Sequence, residues 1–484
     1  MKVRTRFAPS PTGFMHIGNL RTALYSYLFA RHNGGEFILR IEDTDEKRYV
    51  EGAVDLIYRT LKASGITADE GPGIGGDYGP YIQSERKAIY KEYAEKLVAL
   101  GGAYYCFCDK ERLESLDDGN GNHKYDKHCL NLPKEEVERR LAAGESYVIR
   151  QNIPLSGMTE YEDMVYGRIE VDCADLEDNI LLKSDGMPTY NFANVIDDHL
   201  MGITHVTRGS EYLSSTPKYN LIYAAFGWTP PKYIHLPPIM KDATHKLSKR
   251  FGDANFEDFI AKGYLPEAIV NYIALLGWSP KDDAEKMSMN ELIERFSVDG
   301  VSKSGSIFDE PKMKWLNGLY VHEMSPEDFS SHSAPWYGKS VVAGTPENYK
   351  KWDALLQSRI DIFSEIPEKV EFIAHFGEYD VNMYYHKKLK ADPETALKAL
   401  KFAASEVEKI DDYNAENLQN AFRVAAEEAG MKSGLVMWSV RIAVTGAAVT
   451  PGGAAEMADI LGKEETLKRL AFSVKLLEEH ACKE

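Results

Sequence analysis

The sequence predicts a multidomain chain: an α/β domain on a parallel sheet, interrupted by an insertion, then a mostly α-helical C-terminal region. Three observations carry this. Strand and helix signals alternate over residues 1–100, stop at a Cys/His-bearing stretch, and return from about Asp178. Beyond about Phe251 strand signals fade, and after Ser325 helical patterns run almost throughout. A chain of 484 residues also exceeds what one hydrophobic core holds, which suggests about three or four domains.

Residues 3–8 read as a short buried strand, and after a Pro/Gly loop Ile17, Leu20, Leu24 and Leu28 recur at helical spacing. "GGEFILRIEDTD" is a turn and a second apolar strand, and residues 54–61 form a second amphipathic helix. Such alternation builds a parallel sheet covered by helices. "AYYCFCDKERLESLDDGNGNHKYDKHCLNLPKEEVERRLAAG" joins a Cys/His cluster, a polar linker and a charged helix, and reads as an insertion. "NILLKSDGMPTYNFANVIDDHLMGITHVTRGSEYLSSTPKYNLIYAAFGW" restores the alternation, and a lysine-rich loop, "KDATHKLSKR", follows "YIHLPPIM". "LPEAIVNYIALLGWS" and "SMNELIERF" read as helices, with "KSGSIFDEPKMKWLNGLYV" as a connector. "WDALLQSRIDIFSEIPEKVEFIAHF", "PETALKALKFAASEVEKI" and "ENLQNAFRVAAEEAG" carry helical patterns, and no solenoid-period repeat or low-complexity tail is present.

Composition narrows the classes. Hydrophobic residues make up 44%, as in an ordinary soluble protein. No apolar run reaches the ~18 residues of a membrane span, and "MKVRTRFAPS" lacks a signal peptide's apolar core, so the expectation is a cytoplasmic protein without a membrane partner. A net charge of -18 argues against a nonspecific nucleic-acid coat, although a local basic stripe still binds phosphates. The five cysteines are too few and too uneven for a disulfide framework, and the three that cluster suggest a metal.

The loop in "RFAPSPTGFMHIGNLRTAL" fits neither G-x-x-x-x-G-K-[ST] nor G-x-G-x-x-G, and "GPGIGGDYGP" reads as a surface turn. The logic of a strand-loop-helix phosphate site still holds: a helix N-terminus offers unpaired N–H groups, Gly18 lets backbone approach a ligand, and His16 stands where its ring could meet a phosphate oxygen. Alone, His16 equally fits a satisfied histidine in a tight turn. The lysines of "KLSKR", in a polar loop after the second half of the sheet, can reach the same phosphates.

An H-x-G loop near the N-terminus paired with K-L-S-K-R after an interrupted α/β domain resembles the double signature of class I aminoacyl-tRNA synthetases. "RIEDTD", "GPYIQSER", "LLKSDGMPTYNFANVIDDHLMGITHVTRG" and "WLNGLY", in that order, narrow the resemblance to the bacterial-type glutamyl-tRNA synthetase family over nearly the whole chain. The late "RIAVTGAAVTPGG" is similar to that family's anticodon-binding end. The resemblance implies a Rossmann-like catalytic domain in two halves, residues 1–100 and 189–250, around an inserted α/β acceptor-stem-binding domain at 101–188. A stem-contact domain at 251–325 and a helical anticodon-binding domain at 326–484 would follow, in a monomer with no stable protein partner.

It further implies a glutamate–tRNA ligase acting in protein synthesis. The α-carboxylate of L-glutamate attacks the α-phosphorus of ATP, and the terminal ribose of tRNA(Glu) then accepts the glutamyl group from the adenylate. No side-chain nucleophile is required, so catalysis rests on positioning and charge stabilisation, with Mg²⁺ shared by the phosphates. Carried over position by position, Pro9, Thr12, Gly13, His16, Gly18, Asn19, Lys246, Lys249 and Arg250 would bind ATP, with His16 and Lys249 catalytic. Leu247 and Arg250 depart from the class pattern K-M-S-K-S, at places where glutamyl enzymes vary. Glu42 and Ser10 would hold the substrate ammonium; Arg6 and Arg208, helped by Tyr190 and Asn194, would hold its side-chain carboxylate and reject glutamine. Taken singly, Arg6 also fits a strand-flanking residue and Arg208 a partner for Glu211.

In the insertion, Cys106, Cys108 and Cys129 offer three thiolates, with Tyr125 or His128 as a fourth ligand of a closed zinc site. The family's C-x-C followed by Y-x-x-x-C favours Tyr125, and Asn131 stands where other members place a further ligand. Merely reduced cysteines are the alternative. The insertion would face the tRNA acceptor end, residues 303–314 the inner corner of the L, and the C-terminal helices the anticodon, where Arg359 resembles an arginine-bearing helix of the family. Three other readings compete. A glutaminyl enzyme carries C-terminal β-barrels, a short paralogue lacks the anticodon region, and a silent tRNA-binding paralogue would lose His16, Lys249 or the arginines.

Overall fold

The computed structural model describes residues 2–13, 15–45, 50–116, 124–247, 255–374, 376–377 and 379–482. The chain divides into two compact units, one of residues 1–261 and 265–313, the other of 262–264 and 314–484. The second unit thus begins inside the segment expected to be the stem-contact domain.

The first unit opens with strand β1 (Arg4–Phe7), helix α1 (Ile17–His32), β2 (Glu36–Leu39), α2 (Ala53–Ala63) and α3 (Lys87–Ala99). β1 and β2 pair in parallel, as the alternation requires. Helix α1 is sunk in the fold: Leu20, Leu24 and Leu28 are fully buried, each worth about 1.5–3 kcal/mol relative to exposure. Then come β3 (Ala103–Cys106), α4 (Lys110–Glu114), α5 (Lys134–Ala142), β4 (Val148–Gln151), β5 (Met158–Asp163), β6 (Gly167–Asp172) and β7 (Ile180–Leu182). β3, β4 and β7 make an antiparallel sheet of their own.

The alternation resumes with α6 (Tyr190–Leu200), β8 (His205–Gly209), α7 (Thr216–Phe226) and β9 (Lys232–Leu236). β8 and β9 are parallel, and the sheet order is β6-β5-β9-β8, so one hairpin of the insertion extends the sheet of the second half. The Thr204 amide donates to the Arg4 carbonyl at 2.9 Å, which sets β8 beside β1. The two halves of the α/β domain therefore lie side by side along β1 and β8, and the C-terminal ends of these strands are the usual place for a site in such a sheet. Helices α8 (Phe256–Ala261), α9 (Pro266–Leu275) and α10 (Met289–Arg295) complete this unit with the short parallel pair β10 (Ile239–Met240) and β11 (Ser306–Ile307).

Residues 303–321 are not a simple connector. They contain β11 and all but the last residue of helix α11 (Glu310–His322), whose Met313, Leu316 and Val321 are buried at helical spacing behind a polar Asp309–Lys312 start. The second unit holds the rest of α11 and α12 (Pro326–Tyr337), α13 (Tyr349–Leu356), α14 (Ile366–Glu371), α15 (Pro393–Glu408), α16 (Ala415–Ala429), α17 (Ser433–Thr445), α18 (Ala454–Leu461) and α19 (Lys463–Ala481). Among the described residues it has no strand beyond an isolated bridge, as the helical patterns predict. The stretch at 352–376 breaks after Leu356 and restarts at Ile366, with Pro367 in the first turn of α14, where a missing N–H costs nothing. Arg359 consequently lies in the turn after α13 and not within a helix. No helix among the described residues is long and apolar enough to cross a membrane.

Candidate active site

A cleft of about 480 Å³ lies where the β1–α1 loop faces the end of β8. His16 closes the loop as the N-cap of α1, and its Nδ1 accepts the Gly18 N–H at 3.0 Å. Nδ1 therefore carries no proton, and the neutral ring holds it on Nε2. A Cβ at Gly18 would stand 3.2 Å from Nδ1, so this glycine makes room for the histidine ring. The expectation of unpaired amides at the helix start is corrected here: the Asn19 and Leu20 N–H groups bond to the His16 carbonyl, and Gly18's to its ring.

Below the loop is a buried ionic network. Arg6 donates to Asp198 at 3.1 Å and to the Thr207 carbonyl at 3.2 Å. Arg40 donates to the same Asp198 oxygen at 2.8 Å and to Glu42 at 3.0 Å. Asp197 takes Arg86 at 2.7 Å and Tyr90 and Gln83 at 2.8 Å each. Burial works against the Arg40 charge, yet Asp198, Asp197 and Glu42 outweigh it and push its pKa well up. Burial raises the Glu42 carboxyl, and Arg40 and Arg6 reverse this only in part. Asp198 ends below the ordinary carboxylate range, because Arg6 and Arg40 overcome its burial.

Arg208 is different. It lies between the rings of Tyr212, Tyr219 and Tyr233, at 5.2, 4.8 and 5.3 Å, and donates to His235 Nε2 at 3.1 Å and Thr216 Oγ1 at 2.7 Å. Among the described residues no carboxylate pairs with it, Glu211 included, although it is only 5% exposed. This leaves a buried guanidinium in the cleft wall whose charge calls for an anion.

Residues 2–315 match the family described as tRNA synthetases class I (E and Q), catalytic domain, and residues 328–474 match the anticodon binding domain. The chain belongs to the class I tRNA synthetases of the E and Q type. It is 55% identical over 480 residues to a glutamate–tRNA ligase of Clostridium novyi (strain NT), covering 99% of both chains. It is 54% identical over 481 residues to that of Clostridium acetobutylicum, again with 99% of both covered. Its fold is similar to the crystal structure of a glutamate tRNA ligase from Elizabethkingia meningosepticum in complex with its amino acid, with a TM-score of 0.89, 37% identity, and coverage of 99% of this chain and 100% of that one.

Within this family member, the cleft gathers Arg6, Pro9, Ser10, Thr12, His16, Gly18, Asn19, Glu42, Tyr190, Arg208 and Lys246 from the expected positions. Two expected residues do not line it. Gly13 shapes the loop from a φ of 120°, a conformation that favours glycine, and Asn194 is buried on α6 with its amide on the Tyr190 carbonyl at 2.6 Å. Lys249 and Arg250 lie outside the described residues. Sequence reasoning missed Arg40, Asp197, Asp198 and His235. The signal was present for the first three: charged residues inside the apolar runs "FILRI" and "FANVIDDHL" have to be paired when buried.

The insertion's three sulfur atoms, of Cys106, Cys108 and Cys129, lie within 4.8 Å of one another. The Tyr125 hydroxyl reaches Cys106 Sγ at 3.4 Å and Cys108 Sγ at 3.3 Å, and accepts the Cys129 N–H at 3.1 Å. His128 is exposed and stands outside this group. Arg150 donates to Cys106 Sγ at 3.3 Å and stacks over Tyr125, a setting that favours thiolate.

Proposed function

We propose that the chain is a glutamate–tRNA ligase that activates L-glutamate with ATP and transfers it to the 3′-terminal ribose of tRNA(Glu). Arg208 carries this reading: a buried guanidinium without a carboxylate of its own, lining the same cleft as the carboxylate of Glu42. An amino acid with an anionic side chain satisfies both ends, its ammonium at Glu42 with help from Ser10, its carboxylate at Arg208. Arg6, already paired with Asp198, braces the site as well as lining it. Glutamine would leave Arg208 uncompensated and turn an amide N–H toward a cation, a mismatch of the kind that sites built around hydrogen bonds reject strongly.

The substrate's α-carboxylate is the nucleophile, so the chain's work is to position and to stabilise. The Nε2–H of His16 would donate to a phosphate oxygen of ATP, held in aim by the Gly18 bond. Lys246 at the cleft edge, with Lys249 and Arg250 beyond the described segment, would balance the charge of the triphosphate. ATP enters as its Mg²⁺ complex, which neutralises part of that charge.

The insertion would face the acceptor end and the helical second unit the anticodon. Three thiols and a phenol oxygen are a donor set that suits zinc, held by Cys106, Cys108, Cys129 and Tyr125. Zinc there would tie β3 to the turn at 128–131. The test of the activity is ATP-dependent charging of tRNA(Glu) with labelled glutamate, alongside glutamate-dependent ATP–pyrophosphate exchange with and without the tRNA. Charging that fails with glutamate but proceeds with glutamine would overturn the reading.

A further inference from the structure

Two residues that do not line the cleft stand directly behind Arg208. Asp163, at the end of β5, is fully buried: its Oδ1 accepts the Val165 and Tyr166 amides at 2.9 and 2.8 Å. Its Oδ2 takes the His235 Nδ1 at 2.6 Å and the His235 amide at 3.2 Å. A carboxylate in this position accepts only, so Nδ1 of His235 carries the proton. On the other side of the ring the Arg208 Nε–H points at His235 Nε2, 3.1 Å away, and a guanidinium donates only. Nε2 is therefore an acceptor, and His235 is a neutral imidazole in a single tautomer. Thr216 adds a second acceptor to Arg208 while giving its own proton to the Tyr212 carbonyl at 2.8 Å.

We propose that His235, locked by Asp163, is a positioning residue for amino-acid selection: it holds the Arg208 guanidinium by its Nε edge so that the remaining N–H groups face the side-chain carboxylate of the substrate. This rests on the reading of the cleft as a glutamate site. The physical argument is one of choice of partner. A carboxylate in place of His235 would neutralise Arg208 and compete with the substrate, whereas a neutral ring acceptor orients the guanidinium and leaves its charge for the ligand. Burial holds His235 below the usual histidine pKa, which keeps the ring neutral beside the cation. The tyrosine rings around Arg208 act in the same sense, giving it a place without a counter-charge.

The experiment compares wild type, His235→Gln, His235→Asn and Arg208→Ala in full-length protein, reading KM for glutamate, KM for ATP, kcat, and charging with glutamine. Gln places an oxygen near the Nε2 position and keeps an acceptor for Arg208; Asn keeps a donor toward Asp163 and loses that acceptor. The expected result is a KM for glutamate raised roughly 10- to 100-fold in His235→Asn, the scale of a lost hydrogen bond to a charged group. KM for ATP should stay within about twofold. In His235→Gln much of the glutamate KM should be restored. A glutamate KM within about twofold of wild type in His235→Asn, equal losses in both variants, or parallel losses for ATP would each overturn the proposal. Failure of the underlying reading looks different: wild type would not charge glutamate, or Arg208→Ala would leave its KM unchanged.

Discussion

Arg6 and Asp198 form an ion pair at 3.1 Å across 192 residues of chain, with side chains only 4% and 3% exposed. One comes from β1 before the insertion, the other from α6 after it. Arg40 shares the same carboxylate oxygen at 2.8 Å, so one acid bridges two buried guanidiniums, and Glu42 and Asp197 supply the rest of the counter-charge. The floor of the cleft therefore exists only when both halves of the α/β domain have come together.

Asp198→Ala should consequently be among the most costly single changes in the first unit. It leaves Arg6 and Arg40 buried without that carboxylate, a loss of about 3–5 kcal/mol by the behaviour of broken buried pairs. Thermal unfolding followed by circular dichroism should show the first transition lowered by several degrees. An unchanged midpoint would mean that water reaches these arginines.

His16 acts in two ways that substitution can separate. His16→Ala should lose the helix cap, about 1 kcal/mol, together with the Nε2–H donor, whereas His16→Asn should keep the cap and lose the donor. Stability should recover in the Asn variant while kcat for adenylate formation stays depressed in both. Gly18→Ala should also lower kcat, because its methyl group crowds the ring from 3.2 Å.

The pH dependence of amino-acid binding should reflect Glu42. Its pKa lies above the usual carboxylate value through burial, so as pH falls the acid becomes neutral before an exposed glutamate would. KM for glutamate should rise on the acid side, beginning above the ordinary carboxylate pKa. For stability the sign is opposite: a raised folded-state pKa gives a contribution present below the unfolded pKa and lost as pH rises through the folded one. Asp198, depressed by Arg6 and Arg40, contributes stability above its unfolded pKa that is lost as pH falls through its folded value. A pH-independent KM would remove Glu42 from the ammonium subsite.

Metal content tests the cysteine cluster. Protein purified from zinc-supplemented medium should hold about one equivalent by atomic emission, lost in Cys108→Ser and retained in His128→Ala. Zinc that disappears with His128 instead would move the fourth ligand away from Tyr125.

The parts of this site that the sequence made legible are those whose chemistry is carried in one continuous stretch. The H-x-G loop, the parallel alternation and the cysteine spacing each declare themselves locally. Asp163 and His235 do not, because their meaning lies in a pairing over 72 residues. "MTEYED" is the single strand β5, where alternation places Asp163 inward with Thr159 and Tyr161 while Glu160 and Glu162 face solvent. Residues 303–321 were misread for a related reason: the buried Met313, Leu316 and Val321 are set among Lys, Asn and Gly, which dilutes the helical period.

The hairpin of β5 and β6 gives the insertion a second allegiance. Though encoded between residues 101 and 188, it extends the sheet of β9, where the Met164 amide bonds to the Tyr233 carbonyl at 2.9 Å and Asp163 is delivered behind Arg208. A chimera that exchanged all of residues 101–188 would also exchange the support of Arg208. Modular swapping in this molecule has its natural cut points around the antiparallel β3-β4-β7 sheet, with residues 158–172 left in the host.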